Sequence, residues 1–279
     1  MDTSRLGLQL YSIREAMEED FYGALKRVAE IGYRFVQFHG MEGAGRALLF
    51  ERTEAVRRWL DELNLKAIYL SIPDVEDSTV AEAVRAASAL GCERLCLPFW
   101  QFDGREDVLS LAAKMNRAGA RCRKDGIALY YHHHFHEFAN LDGVTPLELL
   151  LENTSPENVR LELDIYWASR GGMDPLRVFD RWKERIDLVH LKNVSMGVAE
   201  INLFNIIPEG TPLDAENFAK YALHEDAFTE LANGQLNVPD IAHALAASGR
   251  IQHFSVEQDY SRIGEIESAR RNFEAVRSM

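Results

Sequence analysis

Short apolar runs, rich in β-branched and aromatic residues, alternate along the chain with longer stretches whose apolar positions recur at helical spacing. The short runs predict eight strands: RLGLQLY (5–11), RFVQFHG (34–40), KAIYLSI (66–72), ERLCLPF (93–99), IALYYHH (127–133), RLELDIYW (160–167), IDLVHLK (186–192) and IQHFSVE (251–257). The intervening patterns predict helices over 21–32, 51–64, 78–91, 105–126, 145–154, 174–184, 238–249 and from Gly264 to the end. Gly32 reads as a helix C-cap, and Thr145-Pro146 and Asp174-Pro175 read as helix starts. Strict β–α alternation implies a parallel sheet with right-handed crossovers. Eight such units predict an α/β protein, a closed (β/α)8 TIM barrel forming a single domain over 1–279. An open doubly wound sheet is the alternative, but the first βα turn, YSIREAMEED, lacks the glycine-rich phosphate fingerprint. One segment breaks the rhythm: about 193–237 separates strand seven from its helix, far longer than a usual βα loop. It reads as a lid-like insertion over the barrel mouth or as an oligomer contact.

Four of the strand-like runs carry or run into a residue that can bind a metal. These are Glu137 after the histidines of IALYYHHHFHEF, Asp164 in RLELDIYW, His190 in IDLVHLK and Glu257 in IQHFSVEQD. A charged or imidazole side chain in an apolar run is costly to bury unless paired or ligated. One alone would be unremarkable, and a single His is more often a satisfied core residue. Four near the C-terminal ends of neighbouring strands should converge where barrels carry their active sites. The donor types suit a divalent metal, Mn2+, Zn2+, Co2+ or Mg2+. His132 and His134 alternate and so share a face if the strand continues, and either could replace Glu137 as the ligand. Lys192, two residues beyond His190, is a candidate to bind a substrate oxygen. Trp167 and Phe99 could stack on a ring or simply pack in the core. Gln9 could face the interior and Arg14 could touch substrate, with purely structural roles as the alternative.

Composition narrows the partners. The net charge of −13 opposes a phosphate-backbone ligand, so no nucleic acid is expected. No apolar run approaches the roughly 18 residues of a membrane span, and MDTSRLGLQLYS lacks a secretory apolar region. With three sparse cysteines, Cys92, Cys96 and Cys122, read as buried thiols, the expectation is a cytoplasmic protein, with a homo-oligomer left open.

LGLQLYSIRE (6–15), IGYRFVQFHG (31–40), YHHHFHEF (131–138), LELDIYWASRGGMDP (161–175), HLKN (190–193), NGQLNVPDI (233–241) and FSVEQD (254–259) together resemble the sugar phosphate isomerase/epimerase family with the xylose-isomerase-like barrel. The resemblance implies a divalent metal held by Glu137, Asp164, His190 and Glu257, with His132 and His134 in the sugar pocket. The chain departs from the family pattern at Gln37, where members often carry Glu, at Asn193 in HLKN, and in the His-rich segment after strand five. The leading expectation is a metal-dependent isomerase or epimerase of a small keto-sugar or polyol, working through an enediolate. Glu137 and Glu257 would be its acid/base pair. If His132 or His134 instead donates a proton to a leaving hydroxyl, the reaction is a lyase, of the keto-inositol dehydratase or 3-keto-glycoside eliminase type. An endonuclease and a non-catalytic sugar-binding barrel are weaker alternatives. No Arg/Lys phosphate cradle is evident, which favours a substrate without phosphate.

Overall fold

The computed structural model describes residues 1–39 and 52–279. Gly40, expected to close the second strand, and Glu51, expected to open the second long helix, lie outside the described residues. The barrel strands are β1 (Leu6–Gln9), β2 (Phe35–Phe38), β3 (Lys66–Ser71), β4 (Arg94–Leu97), β5 (Ala128–His132), β6 (Val159–Asp164) and β7 (Ile186–Leu191). After them come two short strands, β8 (Asn193–Val194) and β9 (Phe228–Thr229), and then β10 (His253–Val256). The eight long-range strands pair in parallel and close in the order β1–β10–β7–β6–β5–β4–β3–β2. β8 and β9 form a separate antiparallel pair, which is why β7 neighbours β10 in space. The predicted (β/α)8 barrel is therefore the fold.

Local chemistry sets the element boundaries. Gly32 (φ +126°) and Gly91 (φ +69°) end their helices at positive φ, where a Cβ would be strained. Thr145 and Glu148 form a reciprocal capping box at the start of the helix Pro146–Glu152. Some boundaries differ from expectation: the first strand stops at Gln9, where Leu10–Ile13 turns into a 3-10 helix, and the end of the sixth differs more. β6 stops at Asp164, and Ile165–Arg170 is a short helix whose first turn Asp164 caps by accepting the Trp167 N–H at 2.9 Å. The apolar run IYW continued the strand pattern in sequence, yet its side chains pack in a helix.

Two cores result. The larger lies between the outward strand faces and the helices, with Leu129, Leu161 and Val189 among its fully buried members. A smaller cluster with Tyr69, Cys96, Tyr130 and Leu188 fills the barrel interior. The insertion builds a third: Phe135, Tyr166 and Trp167 pack against Val194, Leu203, Phe218 and Phe228. The 193–237 segment is thus seated over the mouth by its own aromatic core and by the helix Ala215–Ala222. Asn193 pins its two ends together. Its Nδ2 donates to Leu231 O and Leu236 O, and its Oδ1 accepts from Val194 N and Leu236 N. A Cβ on Gly234 would lie 2.3 Å from that carboxamide, so the glycine is required by close approach. The three cysteines are buried free thiols.

Candidate active site at the barrel mouth

Strand periodicity builds the site, because alternate residues of each strand point inward. β5 and its extension supply His132 and His134, β6 supplies Glu162 and Asp164, β7 and its extension supply His190 and Lys192, and the end of β10 supplies Glu257 and Asp259. In register, His132 faces Glu162 and Asp164 faces His190. The Glu257 N–H continues the ladder to Leu191 O at 3.1 Å.

Ligand atoms of His132, Asp164, His190 and Glu257 all lie within 4.8 Å of one another, and all four residues are buried. Asp164 Oδ1 is taken by the helix cap, and Oδ2 has no hydrogen-bond donor. His190 Nδ1 lies 3.1 Å from Glu257 Oε2 and 3.7 Å from Asp164 Oδ2, and His132 Nε2 is 4.0 Å from Asp164 Oδ2. Two imidazoles and two carboxylates converging on one point, with a carboxylate oxygen left over, fit a divalent cation of the Zn2+, Mn2+ or Co2+ kind. Burial opposes charge on His190, yet Glu162 and Glu257 raise its pKa well above the usual imidazole range. The carboxylates thus call for positive charge at this point.

Glu137 is not part of this set. The chain leaves β5 after His132 and turns through His136–Phe138, which carries Glu137 away from the mouth. Its carboxylate accepts from Tyr131 Oη at 2.6 Å and from His134 N at 2.9 Å, and His136 Nδ1 is 3.2 Å away. Tyr131 faces outward from β5, so Glu137 lies behind the wall, tying down the loop. His132 takes the place that Glu137 was expected to hold. His133, also facing outward, donates from Nδ1 to His134 O and accepts the Asp164 N–H at Nε2, 3.2 Å away. Burial lowers its pKa to about 4.

A cavity of about 300 Å³ lies above the four residues. His134, Phe99, Trp167, Lys192, Phe218 and Asp259 form much of its wall, and Gln9, Tyr11 and His39 also reach it. Lys192 Nζ lies 2.7 Å from both Glu257 Oε2 and Asp259 Oδ1 and 3.7 Å from Asp164 Oδ2. Burial alone would discharge it, but the three carboxylates together hold the ammonium charged. Burial also raises the Asp259 carboxyl to about 6. The His134 ring packs against Phe99, Trp167 and Phe218, its Nδ1 has no partner, and burial holds its pKa well below normal.

Gln9 faces the interior as expected, donating to Tyr69 Oη at 2.7 Å. Arg14 does not line this cavity. Its guanidinium donates to Tyr11 O and Asp259 O, lies over Tyr11, and borders a neighbouring recess. The sequence pattern offered Asp259 only as an alternative to Glu257, and it gave no notice of Glu162, Tyr69 or His39. Glu162 sits two residues from Asp164, so the period of two was the available signal.

The model of the Xylose isomerase-like TIM barrel family matches residues 25–279. The chain belongs to this family. Among curated relatives, an inosose dehydratase of Geobacillus kaustophilus is 29% identical over 166 residues, 59% of this chain and 51% of that protein. The chain thus spans about half the length of this relative. A sugar phosphate isomerase/epimerase from Parabacteroides distasonis superposes with TM-score 0.74 at 19% identity, covering 100% of this chain and 95% of that one. The IOLI protein, whose crystal structure holds a zinc atom, superposes with TM-score 0.71 at 12% identity, covering 98% and 97%. At these identities the two structures speak for the fold. The curated relative is named a dehydratase, where an isomerase or epimerase was expected. No helix among the described residues is long and apolar enough to cross a membrane.

Proposed function

We propose that this protein is a divalent-metal-dependent lyase that removes water from a small, unphosphorylated cyclic polyol ketone of the inosose type. The observation that carries this reading is the pairing of proton-handling groups in the cavity. An epimerase working with Glu137 and Glu257 needs both carboxylates at the substrate, and Glu137 is behind the barrel wall, bonded to Tyr131. The cavity instead combines the Lys192 ammonium with His134, whose Nδ1 is unpartnered. Dehydration needs one group to accept a proton from carbon and another to give one to a departing hydroxyl.

His132, Asp164, His190 and Glu257 would hold the cation. When bound, it supplies Lewis acidity toward the ketone oxygen and so acidifies the adjacent C–H. His134 takes that proton. The electron pair left behind forms a C=C bond as the neighbouring C–O bond breaks, and Lys192 protonates the departing hydroxyl. One water leaves. Asp259 and Glu257 keep Lys192 charged and aimed, while Phe99, Trp167 and Phe218 exclude bulk water and offer apolar faces to the ring. Among the described wall residues Lys192 is the sole Lys or Arg, which suits a neutral substrate. The relative's name, inosose dehydratase, and the fit of a six-membered polyol to this volume support the same class.

The test is incubation of the metal-loaded protein with an inosose in heavy water, followed by mass spectrometry. Loss of one water supports the lyase. Deuterium incorporation without that loss would return the reaction to epimerisation, and no change in either would overturn the substrate class. Lys192→Met and His134→Gln should each lower kcat about 100-fold or more.

A further inference from the structure

We propose that Glu162 is a positioning residue that fixes, in opposite senses, the two imidazoles of the metal site. The proposal rests on the metal-site reading above. Glu162 is fully buried one layer below Asp164. An unpaired carboxylate there would be very costly. Among the described residues no Lys or Arg reaches ion-pair distance of it, and the basic side chains within that distance are the His132 and His190 imidazoles. Three groups donate to it, Gln37 Nε2 at 2.6 Å, Tyr69 Oη at 3.0 Å and His132 Nδ1 at 3.1 Å, while His190 Nε2 lies 3.1 Å away and donates to Gln37 Oε1.

The two imidazoles meet this carboxylate through different nitrogens. His132, on one flank of β6, turns Nδ1 down to Glu162 and leaves Nε2 toward Asp164. His190, on the other flank, turns Nε2 down to Glu162 and to Gln37 Oε1 at 2.7 Å, leaving Nδ1 toward Glu257 and Asp164. A carboxylate only accepts hydrogen bonds, so Glu162 selects the Nδ1–H form of His132 directly, and by holding the Gln37 amide it turns the Gln37 carbonyl to select the Nε2–H form of His190. Each ring then presents a lone pair to the same point above. Gln37 completes the arrangement, since its amide donates to Glu162 and its carbonyl accepts from His190. Hydrogen-bond partners of this kind raise ligand basicity and hold ring orientation.

The decisive experiment is long-range 1H–15N NMR of the Zn2+-loaded protein, with Zn2+ affinity measured by chelator competition. Zinc on His132 Nε2 and on His190 Nδ1, with the opposite nitrogen protonated in each, is expected. The reverse assignment of either ring overturns the proposal without any variant. Glu162→Gln, an isosteric change that cannot accept from both His132 and Gln37, should weaken Zn2+ binding about 10- to 100-fold and disturb the His132 ring signals. The exchange Gln37→Glu with Glu162→Gln restores a carboxylate beside His190 but not beside His132, so it should recover part of the lost affinity. Unchanged affinity and ring signals in a folded Glu162→Gln protein would overturn the role of Glu162. Failure of the unaltered protein to bind Zn2+ would instead overturn the metal-site reading.

Discussion

Glu137 and Asp164 both entered as candidate ligands, Asp164 within a strand-like run and Glu137 past the end of one with His132 or His134 as alternatives, and their neighbours separate them. Asp164 ends β6 with one oxygen capping a helix and the other directed at His132, His190 and Lys192. Glu137 has one oxygen satisfied by Tyr131 of β5 and the other by the His134 N–H of its own loop. Elemental analysis should therefore find metal lost in Asp164→Ala and His190→Ala and retained in Glu137→Gln. The Glu137 variant should lose about 1–3 kcal/mol of stability instead, because Tyr131 Oη and the His134 N–H lose an ionic acceptor. Away from the mouth, His253 gives a clean acid signature. Its ring lies 4.4 Å from that of Phe35, its Nδ1 donates to Arg5 O, and burial lowers its pKa to about 4. The unfolded chain takes up this proton near pH 6.5 and the folded chain only near 4. The His253 contribution is thus complete above about pH 6.5 and is lost as pH falls toward 4. Urea denaturation across that window should show a shallower decline in His253→Gln.

The strands and helices were largely legible because their signals are local. Apolar alternation, Gly32, Gly91 and the Thr145 capping box each specify a conformation within a few residues. Thr145→Ala should cost about 1 kcal/mol, measured by thermal or denaturant unfolding. The end of β6 was not legible, because Ile165, Tyr166 and Trp167 suit a strand by type and become helical once packed beneath the insertion. The insertion shows the same dependence on distant partners. Its base needs Gly234 against Asn193, so Gly234→Ala should destabilise the protein and loosen the mouth. Faster proteolysis between 195 and 230 would report this, and an unchanged cleavage rate would contradict it.

For the whole molecule, ring closure sets the chemistry. It brings His132, Asp164, His190 and Glu257 within 4.8 Å although they span most of the second half of the chain. A cation bound only by the closed barrel must stabilise it by mass action. Zn2+ or Mn2+ should raise Tm, EDTA should reverse the rise, and Asp164→Ala should abolish it. The sequence by itself determined the barrel and the strand ends that carry Asp164, His190 and Glu257, because period-two and helical patterns are written in neighbouring residues. Only the tertiary structure decided that His132 rather than Glu137 joins them, that Glu162 lies beneath two imidazoles, and that Lys192 rests between Glu257 and Asp259. Those choices depend on where the chain turns after β5 and on which inward side chains meet across the closed ring, and neither is encoded in any short window of sequence.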